Sequence, residues 1–169
     1  MSTTETDTAV TTQMYRVYIA ASPEKIWEAI TSPEWNGRYG YHMPSEYDLR
    51  AGGAYSVAAS PEMQGMGMPD VILDGEVIVS EPPFKLVQTW HPHFTPEQSA
   101  EPATTLTYEI HPETDKLTRL TLTHDVTGAP EVAGMVTGAD GAIAEGGGGW
   151  AWVLSDLKTL LERGDALEL

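Results

Sequence analysis

The stretch Ile19-Ala20-Ala21-Ser22-Pro23-Glu24-Lys25-Ile26-Trp27-Glu28-Ala29-Ile30-Thr31-Ser32-Pro33-Glu34 decides how this chain folds. It reads as a strand running directly into a capped helix, with a second short capped helix behind it. Ser22 can accept a hydrogen bond from an orphan N–H of the first turn. Pro23 stands where a missing N–H costs nothing and its fixed φ already suits a helix. The same grammar repeats at Ser32-Pro33. Between Pro23 and Thr31, the residues Ile26, Ala29 and Ile30 share one side, with Trp27 beside them.

Working upstream, Tyr15, Val17 and Ile19 alternate with Met14, Arg16 and Tyr18, the period of a strand with one face on a core. Residues 1–13 are Thr-rich without apolar periodicity and read as a disordered tail. Downstream, Glu46–Arg50 and Ala54–Ser60 read as a hairpin around Ala51-Gly52-Gly53. Pro61–Pro69 reads as a Met- and Gly-rich loop. Val71–Ser80 reads as a strand with an irregularity at Gly75, and Phe84–His91 as its neighbour. Pro92–Ala103 reads as a long polar loop, and Thr104–His111 with Lys116–Asp125 as the last hairpin. A weak helical pattern covers Pro130–Val136. The closing helix spans Trp150–Arg163, with Trp150, Leu154, Leu157 and Leu161 in one apolar stripe and Gly164 as its stop.

These elements make an α+β domain: a curved antiparallel sheet of about six to seven strands around a long C-terminal helix, with two short helices after the first strand. One domain over 14–164 and a short tail at 165–169 account for the chain. The concave face of the sheet is the apolar surface against which the long helix can bury its stripe.

Nine Lys and Arg stand against 25 Asp and Glu, a formal charge of −16. Such a surface repels phosphate backbones and anionic headgroups, so neither nucleic acid nor membrane is an expected partner. No apolar run approaches the ~20 residues of a membrane span, and no basic then apolar leader opens the chain. There is no cysteine, hence no disulfide and no thiolate chemistry. A cytoplasmic location fits these features.

Several motifs then identify the chain as similar to a known family. They are Ala21 through Thr31 in the opening strand and helix, Asp48-Leu49-Arg50-Ala51-Gly52-Gly53-Ala54-Tyr55 at the first hairpin, Gly75-Glu76-Val77, Pro82-Pro83-Phe84-Lys85-Leu86-Val87-Gln88-Thr89-Trp90, Thr118 through His124, and Gly149-Trp150 with Leu154, Leu157 and Leu161. In order and spacing they resemble the SRPBCC superfamily (START-like, helix-grip), in the branch of the heat-shock-protein-90 ATPase activator. The resemblance implies a helix-grip fold with a deep apolar cavity between long helix and sheet. Relatives bind lipids, sterols, polyketides or hormones there, and some catalyse cyclisation or dehydration. It departs at Arg38-Tyr39-Gly40-Tyr41, where relatives carry tryptophan followed by glycine, so a relative's ligand preference does not carry across. The eukaryotic activator has a chaperone-binding domain ahead of this fold that this chain lacks room for, which argues against a chaperone partner.

The cavity so implied would be lined by Trp35, Tyr39, Tyr41, Tyr55, Trp90, Tyr108, His124 and Trp150, the tyrosines bringing hydroxyls to an apolar pocket. The same aromatics serve equally as core. Met63, Met66 and Met68, with Gly65 and Gly67, make an adaptable lid or merely a mobile connection. His91-Pro92-His93 puts two imidazoles on one side of an extended chain, and with His124 they could share a metal. Without a carboxylate pattern nearby, a strand-end pair at the cavity mouth or in solvent is preferred, and no metal or other cofactor is assigned. His91 and His124 are the weak candidates for acid–base catalysis, but His124 and Asp125 are adjacent on a strand and face opposite ways. The glycines at 146–149 lack the Lys-Ser/Thr of a phosphate loop and suggest a hinge. The expected function is a carrier or sensor for a small apolar or aromatic molecule. A cyclase, aromatase or hydratase in the same cavity, and a protein-interaction module or chaperone ATPase regulator, are the alternatives. A homodimer through an edge strand stays open.

Overall fold

A computed structural model describes residues 11–138 and 141–168. The order is β1 (Thr12–Ile19), α1 (Pro23–Thr31), α2 (Pro33–Asn36), β2 (Ser45–Tyr47), β3 (Ala54–Ala58), α3 (Pro61–Gly65), β4 (Val71–Glu81), β5 (Lys85–Pro92), α4 (Pro96–Ala100), β6 (Thr104–Thr114), β7 (Leu117–Asp125), α5 (Pro130–Thr137), a 3₁₀ turn (Ile143–Glu145) and α6 (Gly149–Arg163). The seven strands form one antiparallel sheet in the order β1-β7-β6-β5-β4-β3-β2. With α6 closing the chain, this is the helix-grip arrangement. The expected tail at 1–13 lies largely outside the described residues. The first strand opens at Thr12, two residues before the reading from Met14, because Gln13 is buried and donates to the Ala133 carbonyl (3.1 Å) and Thr137 hydroxyl (2.6 Å) of α5.

Helix starts follow one rule. Each of the five helices α1 to α5 opens with Pro-Glu, so the proline needs no hydrogen bond and the glutamate meets the positive end of the helix. Ser22, Ser60 and Thr95 accept from the backbone N–H three residues on, each at 3.2 Å. Ser32 does not: only its backbone carbonyl caps α2. Before α5 stands Ala129, which has nothing to offer. Its place is taken from a distance by Glu101, whose carboxylate accepts from the N–H groups of Glu131 (2.8 Å) and Val132 (3.0 Å). The rule corrects two expected loops. Pro61–Pro69 and Pro92–Ala103 contain α3 and α4, whose Ser-Pro-Glu and Thr-Pro-Glu starts repeat the opening motif.

Several strand boundaries and one irregularity also differ. The strand expected over Glu46–Arg50 is only Ser45–Tyr47, because Asp48 to Gly53 form the turn, with Arg50 N–H donating to the Asp48 carbonyl at 2.8 Å. In the last hairpin β6 runs on past the expected His111 to Thr114, and β7 opens at Leu117, one residue after the expected Lys116. The register shift of β4 falls between Val77 and Val79, not at Gly75. Gly75 keeps register with Tyr55 of β3, and its missing side chain lets β5 come close: a Cβ there would run into the Thr89 carbonyl.

Helix α6 buries Trp150, Leu154, Leu157 and Leu160, while Leu161 of the expected stripe is half-buried. A second side of α6 is buried too. Trp152 donates its indole N–H to the Gly40 carbonyl (3.1 Å), and the Asp156 carboxylate accepts from Gly40 N–H (2.8 Å) and Leu167 N–H (2.6 Å). Gly164 adopts φ 89° and donates to Leu160, ending the helix as expected. The hinge reading of the glycines before α6 is replaced at 147–149. A Cβ at each of them would collide with the neighbouring chain, so they are glycine for close packing.

Candidate functional site

Strand alternation decides which side chains look toward α6. On β5 these are Leu86, Gln88 and Trp90; on β6, Thr104, Leu106 and Tyr108; on β7, Leu120, Leu122 and His124. Two polar neighbourhoods interrupt this apolar face.

The first is centred on His124, which is 0% exposed. Trp150 of α6 donates its indole N–H to His124 Nδ1 at 3.0 Å. An indole can only donate, so Nδ1 carries no proton and Nε2 must carry it. Nε2 then donates to Thr104 Oγ1 at 2.7 Å, and Thr104 passes its own proton to the Trp90 carbonyl at 2.6 Å. Rings follow the bonds: Trp90 meets His124 edge-on at 5.1 Å and Trp150 at 5.7 Å between centroids. Burial pushes the His124 pKa down to about 4 against a small opposing pull from Asp125. The imidazole is therefore neutral, with both nitrogens engaged and no lone pair free to take a proton. Asp125 points the other way and accepts from the backbone N–H (3.0 Å) and hydroxyl (2.7 Å) of Thr127. The two form no dyad.

The second neighbourhood gathers four phenols, Tyr39, Tyr47, Tyr55 and Tyr108. All are held above the ordinary tyrosine range, first by burial and then by one another's proximity, save Tyr55, where neighbouring groups partly offset burial. Tyr39 donates to the Ala29 carbonyl (2.9 Å). Tyr47 donates to Gln88 Oε1 (2.6 Å), and its ring lies 4.7 Å from that of Tyr55. The Tyr55 hydroxyl faces the Trp90 indole and the Ser45 hydroxyl, whose proximity lowers its pKa part of the way back. The Tyr108 hydroxyl is buried and has no hydrogen-bond partner among the described residues. So the inner face presents a phenol able to donate or accept, close to Tyr39 and Tyr55.

Of the sequence-derived candidates, Tyr39, Tyr55, Trp90, Tyr108, His124 and Trp150 are thus brought together. Trp35 is not among them. It lies half-buried beneath two cations, Lys25 Nζ at 3.6 Å and Arg38 Cζ at 4.5 Å from its ring centroid. Tyr41 spends its hydroxyl on Gly148 N–H (3.0 Å), pinning the chain that enters α6. Met63 and Met68 pack on the core, while Met66 is 70% exposed. His91 and His93 lie on the outer face, away from His124, because Trp90 and Pro92 take the inward positions. Three polar members of the inner face escaped the sequence reading: Tyr47, Gln88 and Thr104. Gln88 is in phase with Leu86 and Trp90, so the alternation carried its signal. Tyr47 faces in only because β2 pairs Tyr47 with Tyr55. An open depression of about 380 Å³ lies on the outer face instead, bordered by Met14, Arg16, Phe84, Glu109 and Arg119.

Among the described residues no helix is long and apolar enough to cross a membrane. A comparison with curated protein sequences finds no match. Solved structures share the fold. CalU16 from Micromonospora echinospora is 22% identical with a TM-score of 0.61, over 92% of this chain and 76% of that one. PFC0360w, an HSP90 activator from Plasmodium falciparum, is 21% identical with a TM-score of 0.63, over 90% and 96%. DynU16, a protein of the dynemicin biosynthetic locus, is 19% identical with a TM-score of 0.61, over 93% of this chain and 49% of that one. The family described as activator of Hsp90 ATPase homolog 1-like protein matches residues 20–162, which takes in the capped opening helix, strands β2 to β7 and nearly all of α6. The chain belongs to that family, the AHSA-type branch of the helix-grip proteins.

Proposed function

We propose that this protein binds a small, largely apolar or aromatic molecule between α6 and the concave face of the sheet. The observation that carries the reading is the Tyr108 phenol, buried beside Tyr39 and Tyr55 without a hydrogen-bond partner among the described residues, on a face built largely of apolar and aromatic side chains. A polar atom of the ligand would meet Tyr108, within reach of Tyr55, and its apolar body would lie against Trp90. Burial supplies most of the affinity at roughly 25 cal/mol per Å², and the phenols set orientation. His124 positions Trp90 and Trp150 as walls. Because both its nitrogens are engaged, carriage is favoured over catalysis at that ring. DynU16 and its biosynthetic locus are in keeping with a small organic ligand.

Native mass spectrometry, repeated under denaturing conditions, tests this directly, followed by titration with an apolar fluorescent probe. One saturable site, competed by a co-purified ligand, is the expected result. Weak binding that never saturates would count decisively against it. Regulation of a chaperone ATPase is the second reading, favoured by the description of the family and of PFC0360w. Stimulation of a purified chaperone's ATP hydrolysis would support it, and indifference would remove it.

A further inference from the structure

On the opposite face of the sheet lies a cluster that the ligand-binding reading does not use. His91 and His93 alternate with the inward Trp90 and Pro92 and so both face outward. Asp74 of β4 is the cross-strand partner of His91, which puts its carboxylate on the same face. This is the carboxylate that local sequence around His91 did not offer. One donor atom from each of the three lies within 4.8 Å of the other two, and the imidazole centroids are 4.4 Å apart.

We propose that Asp74, His91 and His93 form a binding site for a first-row divalent transition ion, Zn²⁺ by the chemistry of its donors. His93 Nε2 and Asp74 Oδ1 are 3.1 Å apart. Two donors in a tetrahedral shell with bonds of about 2.0–2.1 Å stand roughly 3.3 Å apart. An ion would replace the proton that His93 now shares with Asp74, releasing it to solvent. The far sides of both rings are already fixed by α4. His91 Nε2 meets the Gln98 carbonyl at 3.2 Å; a carbonyl only accepts, so the His91 lone pair is left at Nδ1. His93 Nδ1 meets the Ser99 hydroxyl, which can turn to accept once an ion holds Nε2. Outer partners of this kind fix ring orientation and tautomer in metal sites.

Two imidazoles and a carboxylate favour zinc, copper, nickel or cobalt over magnesium and calcium, whose shells are built of oxygen. The side chains of Asp74 and His93 are 50% and 19% exposed, so an ion can enter from solvent and complete its shell with water. Bound there, it would clasp β4 to β5 and, through Gln98 and Ser99, to α4. That same α4 region reaches α5 through Gln98 Nε2 to Met135 Sδ (3.3 Å) and through the Glu101 cap. The ion would therefore act on the rigidity of this corner, apart from the inner aromatic face.

The test uses the full chain stripped with chelator and titrated calorimetrically with ZnCl₂. One equivalent binding at micromolar Kd or tighter is expected, with a rise in Tm. His93→Gln and Asp74→Asn should each weaken it about tenfold or more, whereas His111→Gln on β6 leaves it unchanged. Cu²⁺ added to the unaltered protein should broaden amide signals around residues 74, 91, 93, 98 and 99, a readout independent of whether any variant folds. Binding only at millimolar zinc, binding undiminished in folded His93→Gln and Asp74→Asn proteins, or broadening centred elsewhere would each overturn the proposal.

Discussion

The indole N–H of Trp150 meets Nδ1 of His124 at 3.0 Å, and this single contact fixes the tautomer of a fully buried histidine while tying α6 to β7. Trp150→Phe keeps the ring and most of the packing but strands a buried acceptor. The expected cost is about 1–3 kcal/mol, the penalty of an unsatisfied polar atom, read from urea unfolding. A loss below the resolution of that experiment would mean the bond contributes nothing net.

Stability should depend on pH in a window set by the same ring. The folded pKa of about 4 lies below the ordinary 6.5. Between these values the unfolded chain binds the extra proton, so this contribution is complete above about 6.5 and declines as the pH falls toward 4. It amounts to on the order of 3 kcal/mol. Chemical denaturation at a series of pH values should show this slope in the unaltered protein and a flatter profile in His124→Gln.

Gly75 and Gly65 make a matched pair. A Cβ at Gly75 would collide with the Thr89 backbone, whereas nothing lies within 4 Å of one at Gly65. Gly75→Ala should destabilise by about 3 kcal/mol, since backbone cannot step aside cheaply. Gly65→Ala should be neutral or stabilising by up to about 1 kcal/mol. Thermal denaturation of the two variants side by side decides it.

Glu101 supplies by distant contact what Ala129 cannot supply locally. Glu101→Ala should cost about 1–2 kcal/mol, in the range of a lost helix cap. Hydrogen exchange should place the loss at the first turn of α5. Uniform loss of protection across the sheet would contradict a capping role.

Tyr108→Phe removes an unpartnered hydroxyl, so stability should change by less than about 1 kcal/mol. Affinity for a ligand recovered from the protein should fall about fivefold to tenfold, the value of one hydrogen bond. Unchanged affinity would show that the ligand, if bound, does not use this phenol.

Local rules were legible from the chain alone. Ser22-Pro23 announces α1, the alternation of Tyr15, Val17 and Ile19 announces β1, and Gly164 ends α6, because caps, φ restriction and side-chain period act within a few residues. The same rule at Ser60-Pro61 and Thr95-Pro96 was equally available and marks α3 and α4. The order of strand, helix pair, sheet and closing helix was enough for the fold class and the family resemblance. Pairing across the sheet was not legible. Tyr47 faces inward because it lies opposite Tyr55, and Asp74 meets His91 because β4 and β5 are in register there. Trp150 finds His124 across 26 residues of sequence. Such contacts depend on register and on how α6 settles against the sheet, which are properties of the packed whole. The chain alone therefore determined which elements form, and only the tertiary structure decided which phenols and imidazoles stand together.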